Sequence, residues 1–286
     1  MRLKNPHLAH ILEINIAMVF IGTSGALGRY VELPVPIIIG SRAILAVVIL
    51  YVFCRWMGIS LAVKREHYPV MFMSGVLMGG HWVTYFYALQ WSSVAIGMLS
   101  MFTYPVVTAF LEPILLKTTF QKIHLLLGAL VLAGIYFLSP DFDLQDSNTL
   151  AIGIGVLSAF CYSLRNLLMK TKVAAYHGSA IMVYQTAIVA ILLFPALFYV
   201  DFDRVLGQWK GILALAVLTT AIGHSLFLMT FKHFSITTVS IISSVQPVYG
   251  ILIGFLFLNE IPEWSTVFGG TLILGAVVIE SVRTQK

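Results

Sequence analysis

Charge is scarce in this chain. Of its 286 residues only 10% are Asp, Glu, Lys or Arg, while 59% are hydrophobic. Soluble domains carry about 25% charged residues, so a water-exposed surface cannot be built from this composition. Cysteine is nearly absent: Cys54 and Cys161 both lie inside apolar runs, with no CxxC and no Cys/His zinc spacing. That excludes a disulfide framework and gives no metal site. No polar stretch is long enough for a soluble domain. P-loop, HExxH and GxSxG patterns are missing, as are paired aspartates within apolar runs. The sequence therefore offers no catalytic residue and calls for no cofactor. The Gly22, Gly25 and Gly28 spacing follows no strand, so it is not a dinucleotide fingerprint.

What the chain has is long apolar runs. A spanning helix needs about 20 mostly apolar residues. Ten stretches qualify: 10–31, 35–56, 68–90, 93–116, 121–139, 149–169, 178–200, 209–231, 236–258 and 264–282. The first follows a polar, basic start without a small-residue cleavage site, so it reads as a span and not as a signal peptide. With the N-terminus in the cytoplasm and alternation thereafter, the cytoplasmic ends carry Arg2, Lys4, Arg55, Lys64, Arg65, Lys117, Lys122, Lys170, Lys172, Lys232, Arg283 and Lys286. The outer ends carry only Arg29, Arg204 and Lys210, while acids such as Glu32, Asp201, Asp203, Glu260 and Glu263 gather there. This asymmetry fixes both termini in the cytoplasm and an even number of spans. It also accounts for the net charge of +5 without nucleic acid as a partner.

An internal repeat is visible. Shifted by 142 residues, Ser93–Ser139 lies over Ser235–Ser281: Pro105-Val106 meets Pro247-Val248, and Gly128 meets Gly270. Five spans per unit is odd, so tandem units enter the membrane from opposite sides. The expected fold is an all-α integral membrane protein of ten transmembrane helices. Residues 1–140 and 141–286 form two inverted five-helix repeats around a central cavity, a layout typical of secondary transporters.

Pro247, Leu258-Asn259-Glu260, Trp264, Gly269-Gly270 and Leu274-Gly275-Ala276 resemble the second half of EamA-type members of the drug/metabolite transporter superfamily. Arg42 in the second span fits an arginine common there. The first half departs: Thr118 stands where the repeat expects the glutamate of Glu260, and the nearest acid is Glu112, followed by Pro113. The resemblance implies a helical bundle around a cavity and export or exchange of small solutes, amino acids and other metabolites among them.

Ionisable groups inside spans are costly, about 2.5–3.5 kcal/mol at mid-helix on insertion scales, so they face a cavity or a partner. Arg42 could attract a substrate carboxylate or lock two helices. His81 and His224 could relay protons or sit neutral against a carbonyl or hydroxyl. Glu112 could accept a proton or pair with a lysine. Arg165, about two turns from a span end, can snorkel. Trp82, Tyr85, Tyr104, Tyr162, Tyr184-Gln185 and Phe227 could line an amphipathic cavity or pack between helices. Ser240, Ser243, Ser244 and Gln246 make the most polar mid-membrane stretch. Pro105 and Pro247 each remove a backbone donor and mark kinks or hinges. Gly75/Gly79 and Gly250/Gly254 are small-residue faces for close helix approach.

Together these residues point to a secondary transporter for small metabolites in the cell inner membrane, able to work as a monomer, with lipid and a small-molecule substrate as partners. The proposed substrate-binding set is Arg42, His81, Trp82, Tyr85, Tyr104, Tyr162, His224, Ser243 and Gln246; His81, His224 and Glu112 are candidates for proton coupling. An intramembrane enzyme, a channel or a scaffold is the alternative. A reporter that is active only in the cytoplasm, fused after Lys286, is expected to be active; activity from a reporter that needs the exterior would reverse the topology.

Overall fold

A computed structural model of the chain describes residues 6–117, 119–138, 143, 145–170, 172–233, 239, 243 and 245–283. Arg2, Lys4, Thr118, Asp141, Ser139, Ser235, Ser240, Ser244 and Lys286, which enter the sequence reading, lie outside these residues.

All regular structure among the described residues is helical. The helices are α1 (Pro6–Tyr30), α2 (Val35–Trp56), α3 (Tyr68–Trp91), α4 (Val94–Met101), α5 (Tyr104–Leu116) and α6 (Ile123–Leu138). They continue with α7 (Ser147–Lys170), α8 (Gly178–Leu193), the short α9 (Phe202–Gly207), α10 (Trp209–Thr230), α11 (Gln246–Leu258) and α12 (Trp264–Arg283). Five stretches are long and apolar enough to cross a membrane: Val35–Trp56, Val94–Leu115, Ser147–Lys170, Gly178–Tyr199 and Trp209–Thr230. Ile123–Leu138, Gln246–Leu258 and Trp264–Ile279 are shorter apolar helices. Large side chains such as Leu45, Val48, Val52, Ile114, Leu132 and Phe257 lie exposed on the outside of the bundle, the reverse of a soluble surface.

Three expected spans are not simple α-helices: 178–200 leaves α8 at Leu193 and finishes as a 3-10 helix over Phe194–Tyr199. The stretch 93–116 is two helices. The Ser93 side chain caps α4 by accepting from the Ile96 N–H at 3.2 Å, and α4 stops at Met101. Pro105 has no N–H for the Met101 carbonyl, so the chain turns through Phe102 and Thr103 and starts again with Pro105 in the first turn of α5. Pro247 opens α11 in the same way. Pro105 and Pro247 therefore each stand in the first turn of a helix. The stretch 209–231 is one helix, but Leu215–His224 is wound as a π-helix. The Thr219 and Thr220 hydroxyls both donate to the Leu215 carbonyl there, at 2.6 and 3.0 Å.

α5 and α11 are both 13 residues long and both end on a left-handed residue, Lys117 and Asn259, each with φ 55°. α3 packs on α7, α2 on α8, α6 on α12, α1 on α10 and α11, and α4 and α5 on α7. Small residues set the closest crossings. A Cβ on Gly134 would lie 2.8 Å from the Gly269 carbonyl, and one on Gly269 would lie 2.6 Å from the Gly134 carbonyl, so α6 and α12 meet backbone to backbone. Gly22 and Gly250 do the same for α1 and α11: a Cβ on Gly250 would lie 3.1 Å from the Gly22 carbonyl. Gly75 and Gly79 receive Ile188 and Val189 of α8.

Both ends of the bundle are tied. At one end Glu260 accepts from Arg29 Nε at 3.0 Å and from the Val94 N–H at 2.7 Å, while Arg29 Nη1 donates to the Gln90 carbonyl at 2.9 Å. One carboxylate thus joins α1, the end of α3 and the start of α4. At the other end the Tyr176 hydroxyl lies 2.6 Å from His67 Nδ1 and accepts from the Lys64 N–H, and the Tyr184 hydroxyl donates to the Leu61 carbonyl at 2.6 Å. These bonds fasten the α2–α3 connector to α8 and its leading turn.

A methyl at Gly134 has to push the α6 and α12 backbones apart. Gly134→Ala is expected to destabilise the protein by about 1–3 kcal/mol, the usual cost of overpacking, read as a lower unfolding temperature in detergent. Gly153 of α7 meets nothing within 4 Å, so Gly153→Ala is expected to be neutral or to stabilise by up to about 1 kcal/mol through helix propensity. Equal responses would refute the backbone-contact account.

Candidate functional site

A polar buried region lies where α1, α2, α3, α4, α7, α10 and α11 converge. Ile21, Ser24, Arg42, His81, Trp82, Tyr85, Met101, Tyr162, His224 and Gln246 surround a void of about 10 Å³. That is room for about one water, whereas ligand pockets run to about 300–1,000 Å³. The central cavity expected from the sequence is therefore closed down to a narrow gap, because aromatic rings fill it. His81 stacks near-parallel on Tyr85, with centroids 5.9 Å apart, and lies 4.5 Å from Tyr162; Tyr162 meets Tyr104 edge-on at 4.9 Å.

Arg42 is the central charge. It is 1% exposed. Its guanidinium lies over the Trp82 ring at 4.1 Å from the centroid, a cation–π geometry. Nε donates to the Thr220 hydroxyl at 2.6 Å. That hydroxyl in turn donates five residues back along the π-helix to Leu215, so the wider winding presents an oxygen lone pair to Arg42. Nη1 and Nη2 are buried and have no hydrogen-bond partner. Trp82 Nε1 and His224 Nδ1 are likewise without a partner. The Trp82 and His224 rings lie 5.7 Å apart.

Arg165 does not snorkel. It is fully buried, donating to Gln185 Oε1 at 2.7 Å and Asn166 Oδ1 at 2.9 Å, and Gln185 passes the chain on to Ser74 at 3.0 Å. Its place on α7 faces α8 and the bundle interior, where these amides outcompete a reach to the membrane surface. The amide of Gln185 and the hydroxyl of Tyr184 are thus committed to the protein and do not line the gap.

Seven of the nine expected substrate-binding residues line the gap: Arg42, His81, Trp82, Tyr85, Tyr162, His224 and Gln246. Tyr104 stands behind Tyr162, and its carbonyl accepts from Ser163 at 2.9 Å. Ser243 is buried, and its hydroxyl returns to the Val239 carbonyl four residues earlier at 2.6 Å. His81 Nδ1 lies 2.7 Å from Ser158 Oγ, which also donates to the His81 carbonyl at 3.0 Å. Since that hydroxyl has one proton, the bond to the carbonyl leaves Nδ1–H as the donor to Oγ and Nε2 as a bare acceptor. Glu112 is elsewhere, paired with Lys170 Nζ at 2.7 Å at the ends of α5 and α7. Thr220, Ser158, Ser24 and the Arg165–Gln185 bond were not foreseen from the sequence. An arginine inside an apolar run was the one available signal for the last of these.

Thr220→Val keeps shape and removes the acceptor from Arg42 Nε. It is expected to destabilise by about 1–3 kcal/mol, the cost of an orphaned buried donor. Thr219→Val loses only a bond to its own helix and should cost less than about 1 kcal/mol. Unfolding temperatures in detergent compare the two; a milder effect at position 220 would remove Thr220 from the site.

Comparison with known proteins accords with this architecture. The pseudopaline exporter CntI of Pseudomonas aeruginosa is 26% identical over 257 residues, covering 89% of this chain and 88% of that protein. The threonine/homoserine exporter RhtA of Escherichia coli is 25% identical over 256 residues, covering 87% and 83%. The crystal structure of another protein superposes with a TM-score of 0.71 over 97% of this chain and 99% of its own at 15% identity, a likeness of fold alone. A model of the EamA-like transporter family matches twice, over residues 9–139 and 149–282. With nearly the whole length taken up by those two matches, this multi-pass membrane protein belongs to the EamA-like transporter family.

Proposed function

We propose that the protein is a secondary carrier that exports or exchanges small metabolites, amino acids and related compounds among them, across the cell inner membrane by alternating access. The observation that carries this reading is the meeting of seven helices on one buried cluster of unpaired polar atoms, between two tied ends of the bundle. The gap is too narrow for a metabolite, so this arrangement is an occluded form. Opening at one end requires release of the Glu260 tie, and opening at the other requires release of the Tyr176 tie. The similar proteins CntI and RhtA are exporters of metabolites, which favours a carrier over an enzyme, channel or scaffold.

In this reading ten helices span the membrane as two inverted halves, 1–140 and 141–286, with both termini cytoplasmic. Several features support it. The family model matches once in each half. α5 and α11 coincide end for end at the 142-residue offset, down to the left-handed caps Lys117 and Asn259. Exchange of the halves turns the α3–α7 contact into the contact of α10 with α1, and that of α4 and α5 with α7 into that of α11 with α1, and all of these occur. The site then lies at the seam, built from both halves in one chain, so a monomer suffices.

His81 and His224 are the groups placed to pass protons, since both imidazoles line the gap; Glu112, bound to Lys170, is remote from it. Proteoliposomes loaded with unlabelled amino acids and organic acids should accumulate labelled members of the mixture by counterflow. Arg42→Gln should cut that uptake by roughly tenfold or more, the equivalent of about 1.4 kcal/mol. Saturable uptake no greater than in protein-free vesicles would end the carrier reading. Flux indifferent to collapse of the proton gradient would remove the histidines from coupling and leave the carrier intact.

A further inference from the structure

The described acids keep away from the buried cations. Arg42 and Arg165 are the two buried Lys or Arg residues among the described residues, and no described Asp or Glu is buried. Glu112 is bound to Lys170 and Glu260 to Arg29, both at bundle ends. Glu13 is half-buried beside His10, Asp146 is half-buried and accepts from the Thr149 N–H, and Glu32, Glu66, Glu263, Asp143, Asp201 and Asp203 are exposed. His81 and His224 lie within the field of both guanidinium groups. They can donate or accept hydrogen bonds but supply no negative charge. An arginine does not lose its proton inside a protein, and a buried cation without a counter-charge is strongly unfavourable. The centre therefore holds an electrostatic deficit that nothing described in the protein fills.

The deficit has a shape. Arg42 Nε is fixed by Thr220 and its face by Trp82. The atoms left over, Nη1 and Nη2, are the outer edge of the guanidinium, a planar pair of donors matched to the two oxygens of a carboxylate. Trp82, Tyr85 and Tyr162 wall the same gap with rings, and Trp82 Nε1 and His224 Nδ1 offer further polar contacts. From this we infer that the site takes an organic anion, bound through a carboxylate on the Nη edge of Arg42 with its apolar body among the rings, and that it rejects cations and disfavours zwitterions, for whose ammonium group no buried acid is described. This rests on the carrier reading and narrows it to anionic cargo, taking zwitterionic amino acids out of its set.

Binding separates the two claims, because it needs no transport. The full chain, purified in detergent at pH 7, is titrated with benzoate, its neutral isostere benzamide, the cation benzylammonium and zwitterionic phenylalanine, and the unfolding temperature is followed. Benzoate is expected to raise it saturably, and the other three to raise it little or not at all. Arg42→Gln should abolish the benzoate shift. Arg42→Lys, which keeps the charge but not the fork, should weaken it by roughly tenfold or more. Arg204→Gln, an exposed cation of α9 outside both the cluster and the ties, should leave it intact. Because Arg42→Gln also removes an uncompensated buried charge, the ligand-free variant should unfold no lower than the parent; a helix-locking arginine would give a clear fall. Stabilisation by benzylammonium equal to that by benzoate, a benzoate shift that survives Arg42→Gln, no shift with any probe, or a fall in the unfolding temperature of ligand-free Arg42→Gln would each overturn the inference. Counterflow of some cargo alongside any of these results would leave the carrier reading standing.

Discussion

A polar group taken out of water has to find a partner, and the architecture of this protein follows from how that demand is met at two arginines. Arg165 is satisfied at both Nη atoms, where Gln185, Asn166 and Ser74 form a chain of amides and a hydroxyl, and only its Nε lacks a partner. Arg42 is satisfied on one edge and one face and left open on the other edge. The π-helical turn at Leu215–His224, the rings of Trp82 and Tyr162 and the imidazoles of His81 and His224 are all arranged about that open edge. π-Helical turns are frequent at functional sites. Here the turn has a specific task, the presentation of Thr220 to a guanidinium.

Holding such a centre together is difficult without a hydrophobic drive between helices, because lipid is as apolar as leucine. Packing and polar ties take over. Gly22 against Gly250 and Gly134 against Gly269 let backbones touch, so that helices converge closely enough for rings to close the middle. The ends are fastened by polar bonds: Glu260 with Arg29 and Val94 at one, Tyr176 with His67 and Lys64 at the other. Exposed ion pairs contribute little on their own, about 0–1 kcal/mol. Glu260 does more than pair, because its second oxygen satisfies a backbone donor at the start of α4.

The helices were legible in the sequence because an apolar run of sufficient length has one fate in lipid, and Pro105, Pro247 and Ser93 mark where helices begin. The cluster was legible because ionisable and amphipathic side chains in such runs are rare; Arg42, His81 and His224 announce themselves. Other features were not. Arg165 lies near enough to a span end that snorkelling is equally consistent with the sequence; only its packing against Gln185 decides. Arg29 and Glu260 are 231 residues apart, so their pairing is a property of the fold and not of any local pattern. The π-winding depends on what α10 packs against, and its residues have no distinctive composition. The width of the central gap depends on the rotamers of several rings at once, which no linear pattern encodes.

The interruption at Phe102–Thr103 bears on how such a molecule moves. α5 starts afresh at Tyr104, and Pro105 never owned the ladder bond that a continuous helix would have had to break there. α4 is held from above by Glu260 through the Val94 N–H, while α5 is held from below by the pairing of Glu112 with Lys170. The stretch is thus two helices joined at a break in the ladder, each anchored to a different rim. In the proposed carrier a tilt of one need not drag the other, and the break lies beside Met101 and Tyr104, next to the cluster.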